Sequence, residues 1–280
     1  MKPIEEFLQA KSDDESACED GIFTGNVFAA VVDGATSKGA LEYDGRAPGR
    51  LARDLVLEEL ARLDASFDPD SSGASVVLQA LNESLASWYR RAGVYEEVRV
   101  APELRASVSV AVYCEPMHEV WMVGDCLVRT EYAVYGNEKR IDMLFSEMRA
   151  YLIEDMIASG CSEAELLEHD RAREQLIPFL KKQNAFQNQR YASDFSYSVI
   201  DGFFDEWSPR RIIPIGNEVR ELILSSDGYP SLERTLRESE MSLQRLLKED
   251  PLMYRLHRST KGLSSGNLSF DDRAYLRLSI

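Results

Sequence analysis

The sequence predicts an α+β fold, antiparallel sheets with helices segregated from them, on three observations. Short apolar strands are joined by tight turns. One stretch alternates apolar with small residues. Segments of helical period come in blocks and not between successive strands. Neither a GxGxxG nor a GxxxxGK loop occurs, which disfavours a parallel nucleotide-binding sheet. No internal repeat or low-complexity linker interrupts the 280 residues, so 1–280 reads as a single domain.

The elements follow in order. Residues 21–24 and 27–32 form a hairpin about Gly25-Asn26, a pair suited to positive φ. The second strand runs into Asp33-Gly34. Pro48 opens a helix over 48–63, where Leu51, Leu55, Val56, Leu60 and Leu63 recur at helical spacing. Val77, Leu78, Leu81, Leu85, Trp88 and Tyr89 mark a second helix over 74–91. Valines 108, 110 and 112 alternate with Ser107, Ser109 and Ala111, the signature of a half-buried strand. Residues 119–123 and 126–135 extend it as a meander through Gly124-Asp125. The polar stretch 143–190 has helical period and a capping box at Ser162 and Glu165, and reads as a helical insertion. Strands resume at 195–200, 211–215 and 219–225, helices fill 231–257, and alternation at Ala274, Leu276, Leu278 and Ile280 marks a closing strand.

The charge balance excludes some partners. Thirty-two basic against 48 acidic residues give a net charge of −16, which repels nucleic-acid phosphates and anionic lipid. The longest apolar run, residues 27–32, is far short of the ~20 residues a spanning helix needs. The first residues hold no apolar stretch of signal-peptide length. Four cysteines without a CxxC pair suit reduced thiols, and the cytoplasm is the expected location.

The chemistry is carried by acids at strand ends. Glu19-Asp20 precede the first strand of the hairpin, Asp33 ends the second, and Asp125 lies in the Val-Gly-Asp-Cys turn. Asp227 ends the Leu-Ile-Leu-Ser-Ser strand, and Asp271 introduces the last one. Carboxylates gathered on one rim repel each other, and oxygen-only donors suit Mg²⁺ or Mn²⁺ over zinc. Asp-Gly is also a plain turn dipeptide and occurs at 20–21, 33–34, 44–45, 201–202 and 227–228, so position alone leaves both readings open.

Taken in order, Cys18-Glu19-Asp20, Val-Phe-Ala-Ala-Val-Val-Asp33-Gly34, Ala-Ser-Val-Ser-Val-Ala-Val, Val-Gly124-Asp125-Cys, Leu-Ile-Leu-Ser-Ser-Asp227-Gly228 and Asp271-Asp272-Arg-Ala resemble the metal-dependent serine/threonine protein phosphatases (PPM, or type 2C-like), in their bacterial form. The resemblance spans about residues 12–280. It implies a four-layer α-β-β-α sandwich, two central antiparallel β-sheets flanked by helices. It also implies a binuclear centre of two Mn²⁺ or Mg²⁺ ions, at which an activated water hydrolyses phosphoserine or phosphothreonine esters of a phosphorylated protein substrate. Carried over, Asp33 would bridge the ions and Gly34 would lend its carbonyl. Glu19 would ligate one ion, with Asp227 and Asp271 on the other. Asp20 would orient the water, and Asp125, with Asp227, would help hold a third metal.

Three positions depart from the family pattern. Glu15 stands where many members have a phosphate-binding Arg, leaving Lys38, Arg46 and Arg50 as candidates for that role. Ala35 replaces a His that some members place after Asp-Gly, and Ser231 replaces an Asp often used at the third metal. The acid at position 15 keeps an alternative open, a pseudophosphatase serving as a metal-binding or regulatory interaction module. The GxSxG match at Gly262–Gly266 would signal a serine hydrolase only between a strand and a helix. A glycine/serine loop before the last strand is the expected structure there.

Overall fold

The computed structural model describes residues 1–35, 42–190 and 193–280. Among the described residues ten strands pair into two five-stranded sheets, antiparallel throughout their ladders. In one sheet β2 (Gly21–Thr24), β3 (Phe28–Gly34), β4 (Val108–Cys114), β5 (Glu119–Val123) and β8 (Arg211–Pro214) lie in that order. The other runs β1 (Lys2–Gln9), β10 (Arg273–Ser279), β9 (Glu221–Ser225), β6 (Leu127–Arg129) and β7 (Val134–Tyr135).

Side-chain alternation creates the layers. Phe28, Ala30 and Val32 of β3 and Val110 and Val112 of β4 face α1 (Pro48–Asp64) and α2 (Ala74–Ala92). Their neighbours Ala29, Val31, Ala111 and Tyr113 face Leu222, Leu224, Leu276 and Leu278 of the second sheet. The far face of that sheet, with Ile223 and Tyr275, packs on α7 (Leu236–Glu249). Period two along each strand thus yields the expected helix-sheet-sheet-helix sandwich.

A helical excursion comprises α4 (Arg140–Ala158), α5 (Glu163–Glu168) and α6 (Arg171–Lys182), after the short α3 (Tyr95–Val100). Ser162 and Glu165 form the capping box read from the sequence. The fully buried Arg149 ties the excursion to the C-terminal part. Its guanidinium pairs with Asp170 and donates to the carbonyls of Leu252 and Ser259. Among the described residues no helix is long and apolar enough to cross a membrane.

Several expectations are corrected. The edge strand β1 was not expected, because its charged residues and Pro3 break the alternation; the register shifts between Pro3 and Glu5. The meander past residue 123 is instead a crossing, since β5 and β6 belong to different sheets. Residues 126–135 hold two short strands around a Thr130–Ala133 turn. The 25–26 turn has no positive φ. The Asp64 carboxylate accepts the N–H groups of Asn26, Val27 and Phe28 and sets that turn from outside. Residues 195–200 make isolated bridges only, because the Asn188 side chain stands in for a partner strand at Val199. In 231–257 the regular helix is confined to α7. The GxSxG stretch lies in turns that lead into β10, without the strand and helix a nucleophile elbow needs.

Candidate metal centre

The site forms at one end of the sandwich, where both sheets leave strand ends on the same rim. Asp33 closes β3, and its cross-strand partner on β4 is Ser109. The Ser109 hydroxyl donates to Asp125 Oδ1 at 2.5 Å, so one serine fastens the β5–β6 crossing beside Asp33. Gly124 makes this possible. Its φ is +85°, and a Cβ there would overlap Ser109. From the second sheet Asp227 follows β9, while the backbone N–H of Ala274 donates to Ser226 Oγ at 2.9 Å. The turn at Gly228 packs on the Asp272 carbonyl, closely enough that a Cβ would strike it.

As a result Asp33, Asp125 and Asp227 each present an oxygen within 4.8 Å of the others. The segment carrying Glu19 and Asp20 is clamped beside them. Asp272 accepts the Glu19 N–H at 3.0 Å and the Lys11 N–H at 2.7 Å. Arg53 donates to the carbonyls of Cys18 and Asp20, both at 3.0 Å. Gly34 lies against the Glu19 backbone and Gly49, where no side chain would fit.

Charge is unevenly offset across this rim. Burial, and then the charges of Asp20 and Asp125, push the Asp33 carboxyl well above its ordinary range. Asp227, exposed at the lip of the rim, is raised by desolvation among its neighbours and by Asp33 and Asp125, and Asp20 by burial against a hydrogen bond from Ser226. Burial also opposes the charge on Asp125 and Asp271, but there lysines win and both are lowered. Lys139 Nζ stands 2.7 Å from Asp125, and Lys261 pairs with Asp271. Lys11 lies 3.6 Å from Glu19, 3.9 Å from Asp271 and 3.4 Å from Asp272, and these acids raise its pKa although burial works to lower it.

The sequence-predicted acids therefore converge, in two groups. Asp33, Asp125 and Asp227 close on one point, and Glu19 and Asp271 gather around Lys11. Of the phosphate-binding candidates, Arg46 pairs with Asp54 and Arg50 donates to the Ser16 carbonyl; neither lines the cavity at the rim. Lys38 lies outside the described residues. Glu15 sits in an exposed turn of 3₁₀ helix, and Ser231 donates to Glu233. Sequence reasoning missed Lys11, Lys139 and Lys261, since a lysine in a loop gives no local sign of facing an acidic rim.

The residues present suit a hard divalent cation. All the converging donors are oxygens, and Asp20 Oδ2 is buried without a hydrogen bond from the described residues. Asp33, Asp125, Asp227 and Asp271 line a cavity of about 990 Å³. The helical excursion also lines it, through Asp142 and Met143 of α4 and Arg173, Leu180 and Lys181 of α6.

No protein-family model matches the chain, and no curated protein matches it by sequence. Solved structures do. The serine/threonine phosphatase Stp1 from Staphylococcus aureus superposes with a TM-score of 0.52 at 14% identity, over 100% of this chain and 95% of that one. The Mycobacterium tuberculosis serine/threonine phosphatase PstP/Ppp gives 0.47 at 15% identity, over 99% and 98%. The PPM Ser-Thr phosphatase MsPP from Mycobacterium smegmatis gives 0.46 at 13% identity, over 100% of both chains. By the Stp1 likeness, this chain has the fold of a bacterial serine/threonine phosphatase, with an acidic group on its rim suited to metal.

Proposed function

We propose that the chain is a metal-dependent phosphoprotein phosphatase of the PPM type, acting on phosphoserine and phosphothreonine esters with two Mn²⁺ or Mg²⁺ ions. The observation that carries this is the closure of Asp33, Asp125 and Asp227 to within 4.8 Å at the rim of a sandwich shared with Stp1. In this reading Asp33, the Gly34 carbonyl, Glu19, Asp227 and Asp271 hold the two ions, and Asp125 is the donor for a further one. Bound divalent cations supply the positive charge that neutralises phosphoryl oxygens and lowers the pKa of water.

The chain's own groups do the rest. Asp20, buried and raised, orients the attacking water and receives its proton at the uncommitted Oδ2. Strand ends fix the acids, so little reorganisation is left for the reaction itself. Residues 1–280 act as one phosphatase-like domain, and the 143–190 insertion walls the cavity in which a phosphorylated protein segment is held. The four thiols, all free, accord with a cytoplasmic location.

Hydrolysis of a chromogenic phosphate ester with and without Mn²⁺ or Mg²⁺, beside calorimetric titration of the metal, tests the reading. Metal-dependent turnover that Asp33→Asn abolishes is the expected result. A second reading, a pseudophosphatase serving as a regulatory module, draws on the ammonium groups already set against Asp125, Asp271 and Glu19. Metal binding without turnover would favour it.

A further inference from the structure

A phosphate ester entering the cavity brings two negative charges toward an acidic rim, and Glu15 does not offset them. Of the cations lining the cavity, Lys181 is an exposed ammonium on α6 and four others are committed. Arg105 pairs with Asp201, Lys139 with Asp125, Arg258 with Glu147 and Lys261 with Asp271. Arg173 is different. Among the described residues no carboxylate lies within ion-pairing distance of its guanidinium, and its one side-chain hydrogen bond goes to the Thr260 carbonyl at 2.5 Å. That bond places it one residue from Lys261, and therefore beside Asp271. Arg173 also lies on the inner face of α6, in helical register with the buried Leu176 and Leu180, so it is carried by packed structure.

We infer that Arg173, lining the cavity from α6, is the residue that grips the phosphoryl oxygens of the substrate. The inference rests on the phosphatase reading and names the binding residue which that reading leaves open. A guanidinium carries five N–H donors in a planar fork that matches two phosphate oxygens at once, and most of this fork is uncommitted. Burial and the neighbouring Arg149 work against the charge on Arg173 more than Asp170 and Asp271 favour it, so an incoming dianion meets a cation that the site compensates only in part. The helical excursion thereby becomes part of the binding site: its third helix supplies what position 15 does not.

The test uses the full chain with Mn²⁺ present and inorganic phosphate as the probe, read by calorimetry. Arg173→Gln is expected to weaken phosphate at least tenfold, Arg173→Lys to recover part of that loss, and Mn²⁺ affinity to stay within twofold in both. Arg258→Ala, which removes a cavity cation already paired with Glu147, is expected to leave phosphate affinity within twofold. If Arg173→Gln fails to fold, Arg173→Lys still decides, through a phosphate dissociation constant at least threefold higher and a matching rise in KM with little change in kcat. Phosphate affinity unchanged by either folded variant, equal losses in Arg258→Ala, or no phosphate binding by the wild type would each overturn the inference. Phosphate binding that depends on Arg173 in a protein without turnover would sink the phosphatase reading instead and leave the anion site standing.

Discussion

Replacing Asp33 by Asn in metal-free protein isolates the repulsion that the rim stores. Oxygens of Asp33, Asp125 and Asp227 lie within 4.8 Å of each other. At an effective dielectric constant of about 20, each charged pair at that distance costs about 3.5 kcal/mol. Lys139, 2.7 Å from Asp125, offsets that carboxylate, which leaves Asp33 against Asp227 as the least compensated pair. Both are pushed above the ordinary carboxylate range, and proton uptake caps the penalty. The Asp33→Asn change should therefore stabilise the metal-free fold by about 1–3 kcal/mol at pH 8, or about 2–5 °C in Tm for a chain of this size. The sign with pH follows from linkage. A carboxyl raised in the fold binds more protons folded than unfolded, so wild-type stability falls as pH rises from the ordinary value of 3.8 toward the raised one. The gain from the amide should vanish near pH 4 and grow above it. Mn²⁺ at about a thousand times its dissociation constant adds about 4.1 kcal/mol to the wild type and much less to the variant, inverting their order. Thermal melts in EDTA and in Mn²⁺ across pH 4–8 read all of this. An Asp33→Asn protein less stable than wild type in EDTA at every pH, or one stabilised equally by Mn²⁺, would refute the reasoning.

Two further substitutions probe what holds the rim. Asp272→Ala strips the acceptor for the Lys11 and Glu19 backbone N–H groups in a buried position, and should cost about 2–4 kcal/mol in denaturant melts while loosening Mn²⁺ binding; unchanged stability would mean that the Glu19 segment is held by other contacts. Lys139→Met removes the ammonium beside Asp125, and calorimetry should show Mn²⁺ affinity rising at least threefold, or one more ion bound. No change in either would show that Asp125 takes no part in metal binding.

Where a residue's environment is local, the sequence was legible. Pro48 at a helix start and the capping box at Ser162 each depend on neighbours within a few positions, and each matches the structure; the alternation at 106–113 places β4 but not its burial, since its second face, with Ala111 and Tyr113, is covered by the other sheet and the strand is buried throughout. The acids were legible for the same reason, because a strand end fixes where its own side chain emerges. What was hidden depends on distant partners. The turn before β3 takes its shape from Asp64 at the end of α1, and the stretch at 195–200 takes its hydrogen bonds from Asn188. The switch of sheets at Gly124 also looked like a hairpin turn, since a glycine at positive φ serves either geometry.

The lysines of the rim show why ligand identity alone underdetermines what such a site does. An ammonium and a divalent cation answer the same electrostatic need, and the chain supplies three ammonium groups of its own. They are not spread evenly. Lys139 and Lys261 lower Asp125 and Asp271, whereas Asp33 and Asp227 remain raised and hold the unsatisfied part of the field. An added cation gains most where compensation is least, so the Asp33–Asp227 edge should load first, and any ion drawn to Asp271 or Asp125 must compete with a lysine tethered to the fold. If the chain is the metal-dependent phosphatase proposed, three loop lysines would limit the number of ions held as much as the acids that would ligate them.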